Sequence, residues 1–137
     1  LSDPKREKTV IINSKNNETM EIDGENTLWI PGENPSVVSF TDFEIWRSRP
    51  TTRKTELLTR LSEPIRAVFA GNLNNALIVV TDRSITALEL DTRGRQNAYK
   101  LASFDAIEDA FMDRRDKTIF TAAKKNNASG VWRLLIR

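Results

Sequence analysis

The sequence predicts an all-β fold, a partial β-propeller of about three four-stranded antiparallel blades preceded by a half-blade. Three observations predict it. Short apolar runs alternate with polar turns throughout the 137 residues. The pattern recurs at about 40–45 residues, which with four strands per unit is the period of a propeller blade. No window keeps the i, i+3, i+4, i+7 spacing of an amphipathic helix over more than about ten residues.

The repeat is centred on Ile65–Leu90. Moved back by 40 positions, Leu77, Ile78, Val79 and Val80 fall on Val37, Val38, Ser39 and Phe40, while Phe69 falls on Trp29. The pair Thr81-Asp82 falls on Thr41-Asp42. Moved forward by 42, Ile65 falls on Ile107, Phe69 on Phe111 and Leu77 on Ile119. The last run needs 46, which places Ile85 on Val131 and assigns the four extra residues to a loop over Lys124–Gly130. A surface loop absorbs such an insertion at little cost.

In chain order, residues 1–8 (LSDPKREK) are too polar to bury anything and read as a linker. Residues 9–25 hold Thr9–Ile12 and Thr19–Ile22, which stand where a third and a fourth strand would and so form a half-blade. The first blade, 26–62, has strands at Thr27–Ile30, Ser36–Thr41, Glu44–Arg47 and Thr55–Leu61. The second, 63–104, has them at Ile65–Ala70, Ala76–Thr81, Ser84–Leu90 and Asn97–Ala102. The third, 105–137, has Ile107–Met112, Thr118–Ala122 and Val131–Arg137, and no fourth. The second strands are almost continuously apolar, as strands covered on both faces are. The fourth strands are more polar, which suits an outer edge. Ser103–Arg114 taken alone would place Phe104, Ile107, Ala110 and Phe111 on one face of a helix, but its registration with residues 63–72 makes it a strand. Arg47–Lys54 and Asp91–Arg95 are hairpin tips, with Gly94 free to take positive φ. The expected core is Phe69, Leu77, Ile78 and Val79 with the equivalents Trp29, Val37, Phe111 and Ile119.

Composition narrows the chemistry. A net charge of +2 without basic blocks is too mild for a nucleic-acid binder. No apolar run approaches the roughly 18 residues of a membrane span. The chain has neither Cys nor His, which removes disulfides, the commonest general base and the commonest transition-metal ligand. Glu108/Asp109 and Asp113/Asp116 are paired acids, but on a turn or on alternating faces. Asp42 and Asp82 lie outside any D-x-D-x-D-G loop and read as turn residues bonded to nearby N–H groups, not calcium ligands. No cofactor, no metal and no catalysis are expected.

Two sets of residues qualify as binding candidates. Trp46 and Trp132 occupy the same slot of the third strand, followed by Arg47 and Arg133. They read as an aromatic platform for sugars or peptides, or as packing between blades, the favoured reading. Arg49, Arg53 and Lys54, with Arg47 and Arg60, read as an anion-binding edge or as charges that keep an edge strand from pairing with other chains. The second is favoured.

The segment ELLTRLSEPIRAVFAGNLNNALIVVTDRSITALELDTRG resembles the propeller blades that follow PEGA domains in surface proteins of uncultured bacteria, and so does FDAIEDAFMDRRDKTIFTAAKKNNASGVWRLLIR. The shared features are the LLTRLSE lead-in, the central apolar triplet, the Thr-Asp turn and a Leu-rich terminal strand, over about Thr27 to Arg137. The resemblance implies an extracytoplasmic, cell-surface protein held to the membrane only through an anchor outside this chain, with a PEGA domain upstream. No functional residues come with it, and neither a PEGA domain nor a Trp-Asp propeller signature is present.

The expected function is therefore non-enzymatic, a propeller segment acting as a surface scaffold or protein-interaction module. The alternatives are a carbohydrate-binding lectin, which requires Trp46 and Trp132 to be exposed, and a non-catalytic subunit of a membrane-associated assembly. Three units and a half are too few to close a ring, which needs at least ~4 blades. The missing blades are expected from the rest of the same propeller, or else from a second copy in a homodimer.

Overall fold

The computed structural model describes residues 8–23, 26–71, 75–91 and 93–136. The expected linker, residues 1–8, lies outside the described residues except for Lys8. Among the described residues there are thirteen β-strands, every pairing is antiparallel, and every paired strand is a neighbour in sequence. The chain forms two compact units, Leu1–Leu61 and Ser62–Arg137.

In the first unit, β1 (Lys8–Ile12) pairs with β2 (Thr19–Asp23) as a hairpin. β3 (Thr27–Ile30), β4 (Ser36–Phe40), β5 (Glu44–Arg49) and β6 (Lys54–Arg60) form a four-stranded sheet in that order. β4 is buried from Ser36 to Ser39 on both its faces. In the second unit, β7 (Ile65–Ala70), β8 (Ala76–Thr81), β9 (Ser84–Glu89) and β10 (Ala98–Ser103) form another four-stranded sheet. β11 (Ala106–Asp113), β12 (Thr118–Lys125) and β13 (Ala128–Leu135) form a three-stranded one. Ser103–Arg114 is thus a strand with its flanking residues, not a helix.

The two sheets of the second unit pack face to face. Period-2 alternation puts Ile78, Val80 and Ile85 on one side of the β7–β10 sheet, where they meet Ile107, Met112, Ile119 and Ala123 from the β11–β13 sheet. Phe69, Ala87, Trp132 and Leu134 close the margin of this core. The sheets are also tied by a backbone bond from Ile107 N–H to the Asp82 carbonyl at 2.6 Å.

The repeated Thr-Asp turn works through its threonine. Thr41 Oγ1 accepts the N–H groups of Phe43 and Glu44 at 3.3 and 3.1 Å. Thr81 Oγ1 accepts that of Ser84 at 3.1 Å and donates to the Glu63 carboxylate at 2.7 Å. Asp82, expected to serve its own turn, instead accepts from the Arg66 guanidinium.

Several expectations need correction. Trp29 is 51% exposed. It pairs with Val37, whereas Ala70 pairs with Leu77, so the β3–β4 link is one residue longer and Trp29 matches Ala70 rather than Phe69. Phe111 has the expected register, paired with Phe120 as Phe69 is with Ile78. It is nonetheless 65% exposed, because it lies on the side of the β11–β13 sheet turned away from the shared core. Phe69 is half-buried, while Leu77, Ile78, Val79, Val37 and Ile119 are buried as expected. Lys124–Gly130 is not a loop: β12 and β13 run on to Lys125 and Ala128, and Asn126-Asn127 turns the chain alone with φ of 52° and 61°. Two positive φ values in a two-residue link make a type I′ turn, which suits Asn. Arg47–Lys54 shrinks likewise to a tip over Pro50–Arg53, since Arg49 pairs with Lys54. Gly94 does take positive φ, at 124°.

Candidate interaction surface

The register confirms that Trp46, Thr86 and Trp132 share one slot, opposite Ser39, Val79 and Thr121 respectively. Neither Trp is an open platform. Trp46 is half-buried and its indole N–H donates to Glu44 Oε2 at 3.1 Å. Trp132 packs on the core of the second unit, edge-on to Phe104 at 5.7 Å. The exposed Trp is Trp29, for which the repeat pattern gave no signal.

Part of the basic cluster is held in local ion pairs. Arg47 is buried and binds Glu56 Oε1 through Nη2 at 2.6 Å and Nε at 2.9 Å. Arg49 reaches the same oxygen at 3.0 Å. Burial pushes the Glu56 carboxyl up, but the Arg47 hydrogen bond and charge, with Arg49, outweigh it and hold the group below its ordinary value. Arg60 pairs with Glu44 at 2.6 Å. That bond, with the Trp46 indole bond, keeps the Glu44 carboxyl below the usual carboxylate range. Arg53 donates to the Thr19 carbonyl at 3.0 Å. Lys54 is exposed at the start of β6. Three of the five cations thus share two carboxylates, Glu44 and Glu56, and Arg53 and Lys54 are in no ion pair with an acid among the described residues.

Within the first unit, the β1–β2 hairpin and the β3–β6 sheet enclose a half-open groove of about 510 Å³. Trp29, Pro35, Pro50, Ile12 and Met20 line it with apolar groups, together with Arg53 and Glu18. Among the paired acids, Asp109 Oδ1 accepts from Ala110 N–H and Asp113 Oδ1 from Arg115 N–H, at 2.8 and 2.9 Å.

The most unusual surface is the outward side of the β11–β13 sheet. Phe111 and Phe120 sit opposite each other, with Arg133 next to Phe120 on β13. Val131, 74% exposed, and Leu135 extend the patch, and Asp109 and Asp113 flank it on β11. This side has a twin inside the molecule. Moving Phe69, Ile78 and Val80 forward by 42, and Ile85 and Ala87 by 46, gives Phe111, Phe120, Ala122, Val131 and Arg133. The first five are the residues with which the β7–β10 sheet covers the β11–β13 sheet. The outward side therefore repeats a surface that already packs against a blade. Large apolar residues clustered on an exposed sheet face are the kind of surface that proteins cover with another surface.

No family model and no curated protein matches the chain. Two solved structures are similar to it. One is the crystal structure of the N-terminal domain of Nup159, a β-propeller, with a TM-score of 0.50, 15% identity, and 85% of this chain on 33% of that one. The other is a structure of an S. cerevisiae Dbp5 variant bound to Nup159, a Gle1 variant, IP6 and ADP. It has a TM-score of 0.52 and 14% identity, covering 90% of this chain and 35% of the other. The chain thus spans about a third of the chains it matches. These likenesses establish the fold: the protein is an all-β, partial β-propeller.

Proposed function

We propose that the protein is a non-enzymatic propeller segment that serves as a protein-interaction module. The observation that carries this reading is the outward side of the β11–β13 sheet, whose Phe111, Phe120 and Val131 repeat the blade-covering surface of the neighbouring sheet. A similar chain belongs to a complex in which Nup159 is bound to Dbp5, so a propeller of this kind can serve as a docking platform. The lectin alternative loses support, because Trp46 and Trp132 are not free to stack on sugars.

The test uses Phe111→Asp and Val131→Asp, singly and together. Both positions are exposed, so the variants should keep the circular dichroism and thermal midpoint of the parent. They should lose the binding of an apolar-surface dye and the crosslinks that the parent forms in its native source. Unchanged crosslinks in the double variant, or turnover of a glycan or peptide that one Asp or Glu substitution abolishes, would refute the reading.

The setting we propose is the outer surface of a cell, supported by the resemblance of the LLTRLSE lead-in and the Thr-Asp turn to blades that follow PEGA domains. Protease added to intact cells should then digest the full-length protein. A protein cut only after lysis would contradict that location.

A further inference from the structure

We propose that Asn17 and Asn127 are glycosylation sites, each taking an oligosaccharide on its side-chain nitrogen. The inference goes beyond the interaction reading and rests on the outer-surface setting proposed above.

The chain holds three Asn-x-Ser/Thr triplets, the acceptor pattern for asparagine-linked sugars: Asn17-Glu18-Thr19, Asn34-Pro35-Ser36 and Asn127-Ala128-Ser129. The second is disqualified by its central proline, and its Ser36 is buried. The other two share one local geometry. Each asparagine sits in a hairpin tip in the left-handed region, with φ of 58° at Asn17 and 61° at Asn127. The hydroxyl residue follows on the outgoing strand, Thr19 on β2 and Ser129 on β13. All six residues of these two triplets are exposed.

The bonding separates these asparagines from their neighbours. In the β1–β2 tip, Asn13 Oδ1 accepts Lys15 N–H at 3.0 Å and Asn16 Oδ1 accepts Glu18 N–H at 3.1 Å. Asn97 Nδ2 donates to Glu89 Oε2 at 2.9 Å. At the two triplet sites it is the backbone that is held: Asn17 N–H donates to the Asn13 carbonyl at 2.8 Å, and Asn127 N–H to Asp105 Oδ2 at 3.2 Å. Among the described residues no hydrogen bond uses the carboxamide of Asn17 or Asn127, or the hydroxyl of Thr19 or Ser129. Both asparagines also lie off the ladders, which end at Ile12↔Thr19 and at Lys125↔Ala128. A bulky, hydrophilic sugar on either nitrogen therefore displaces no cross-strand bond and no side-chain contact of the turn.

The donor is an oligosaccharide carried on a lipid diphosphate. The asparagine Nδ2 forms a bond to the anomeric carbon as the bond from that carbon to the phosphate oxygen breaks. The lipid diphosphate leaves with the electron pair, and one Nδ2 proton passes to a base of the transferase. The hydroxyl two residues on is a fixed part of the acceptor pattern, so removing it should be as damaging as removing the asparagine.

The test takes the full-length protein from its native source, digests it with protease and reads the peptides by tandem mass spectrometry. Those bearing Asn17 and Asn127 should carry added hexose or N-acetylhexosamine mass, and the one bearing Asn34 should not. Produced in the same source, Asn17→Gln and Thr19→Ala should each abolish the glycan at Asn17, as Asn127→Gln and Ser129→Ala should at Asn127. Thr19→Ser and Ser129→Thr should keep it. Bare asparagines at both positions, or glycans that survive Thr19→Ala and Ser129→Ala, would overturn the inference. Bare asparagines in a protein that protease digests on intact cells remove the glycosylation inference alone. Bare asparagines in a protein cut only after lysis remove the outer-surface setting as well.

Discussion

Neighbouring residues on one strand meet opposite fates here, and the difference is measurable. Ile119 is fully buried against the β7–β10 sheet, while Phe120, the next residue, points outward. Ile119→Ala and Leu77→Ala should each cost about 2–5 kcal/mol, from lost burial plus the cavity left in a packed core. Phe111→Ala and Trp29→Ala should stay within about 0.5 kcal/mol of the parent, being surface truncations. Chemical denaturation of the four variants gives the comparison, and a Phe111→Ala as costly as Ile119→Ala would mean the outward side is covered. The carboxylates give a second prediction. Glu44 and Glu56 are both held below the ordinary glutamate value by their arginines, so folding stabilises their ionised forms. Their contribution is present above the unfolded value of about 4.3 and is lost as pH falls through the lower folded values. Stability measured against pH should therefore drop on acidification below that point, and Glu56→Gln should make the drop shallower.

At the scale of the element, the second strands were the easiest to read: β8 is apolar from Ala76 to Val80, and β4 and β8 are each buried at consecutive positions. The tips were harder. Asn126-Asn127 closes a hairpin only because both residues accept positive φ, and in sequence that competes with a longer polar loop of the same composition. The slip of Trp29 was invisible, since one residue added in a Pro-Gly-rich link changes which face a strand turns to without changing its apolar pattern. For the candidate surface, the shared Trp-Arg slot was legible as spacing. The Arg47–Glu56 pair was not, because it depends on the length of the Pro50–Arg53 tip, which sets the register from Arg49↔Lys54 to Trp46↔Leu57. Turn chemistry also yields a prediction. A Cβ on Gly71 would stand 2.8 Å from the Ala76 carbonyl oxygen, which accepts the Gly71 N–H. Gly71→Ala should cost roughly 1–3 kcal/mol through backbone displacement at the β7–β8 link, a loss that thermal unfolding would register and that Gly94→Ala, with open space around it, should not share through clash.

For the molecule as a whole, the governing feature is that every ladder among the described residues joins strands adjacent in sequence. Such a chain has no long crossover to thread, so its blades can assemble as successive hairpins with little loop-closure cost. The same connectivity decides how the protein carries a load. Tension applied to the two chain ends pulls each hairpin open from its free side, so the cross-strand bonds part a pair at a time instead of shearing together. The molecule should lengthen under a laser trap in several small low-force steps of about one hairpin each, with no single high peak. A tether built of such blades pays out chain gradually when stretched, and it re-forms from whichever hairpin remains closed.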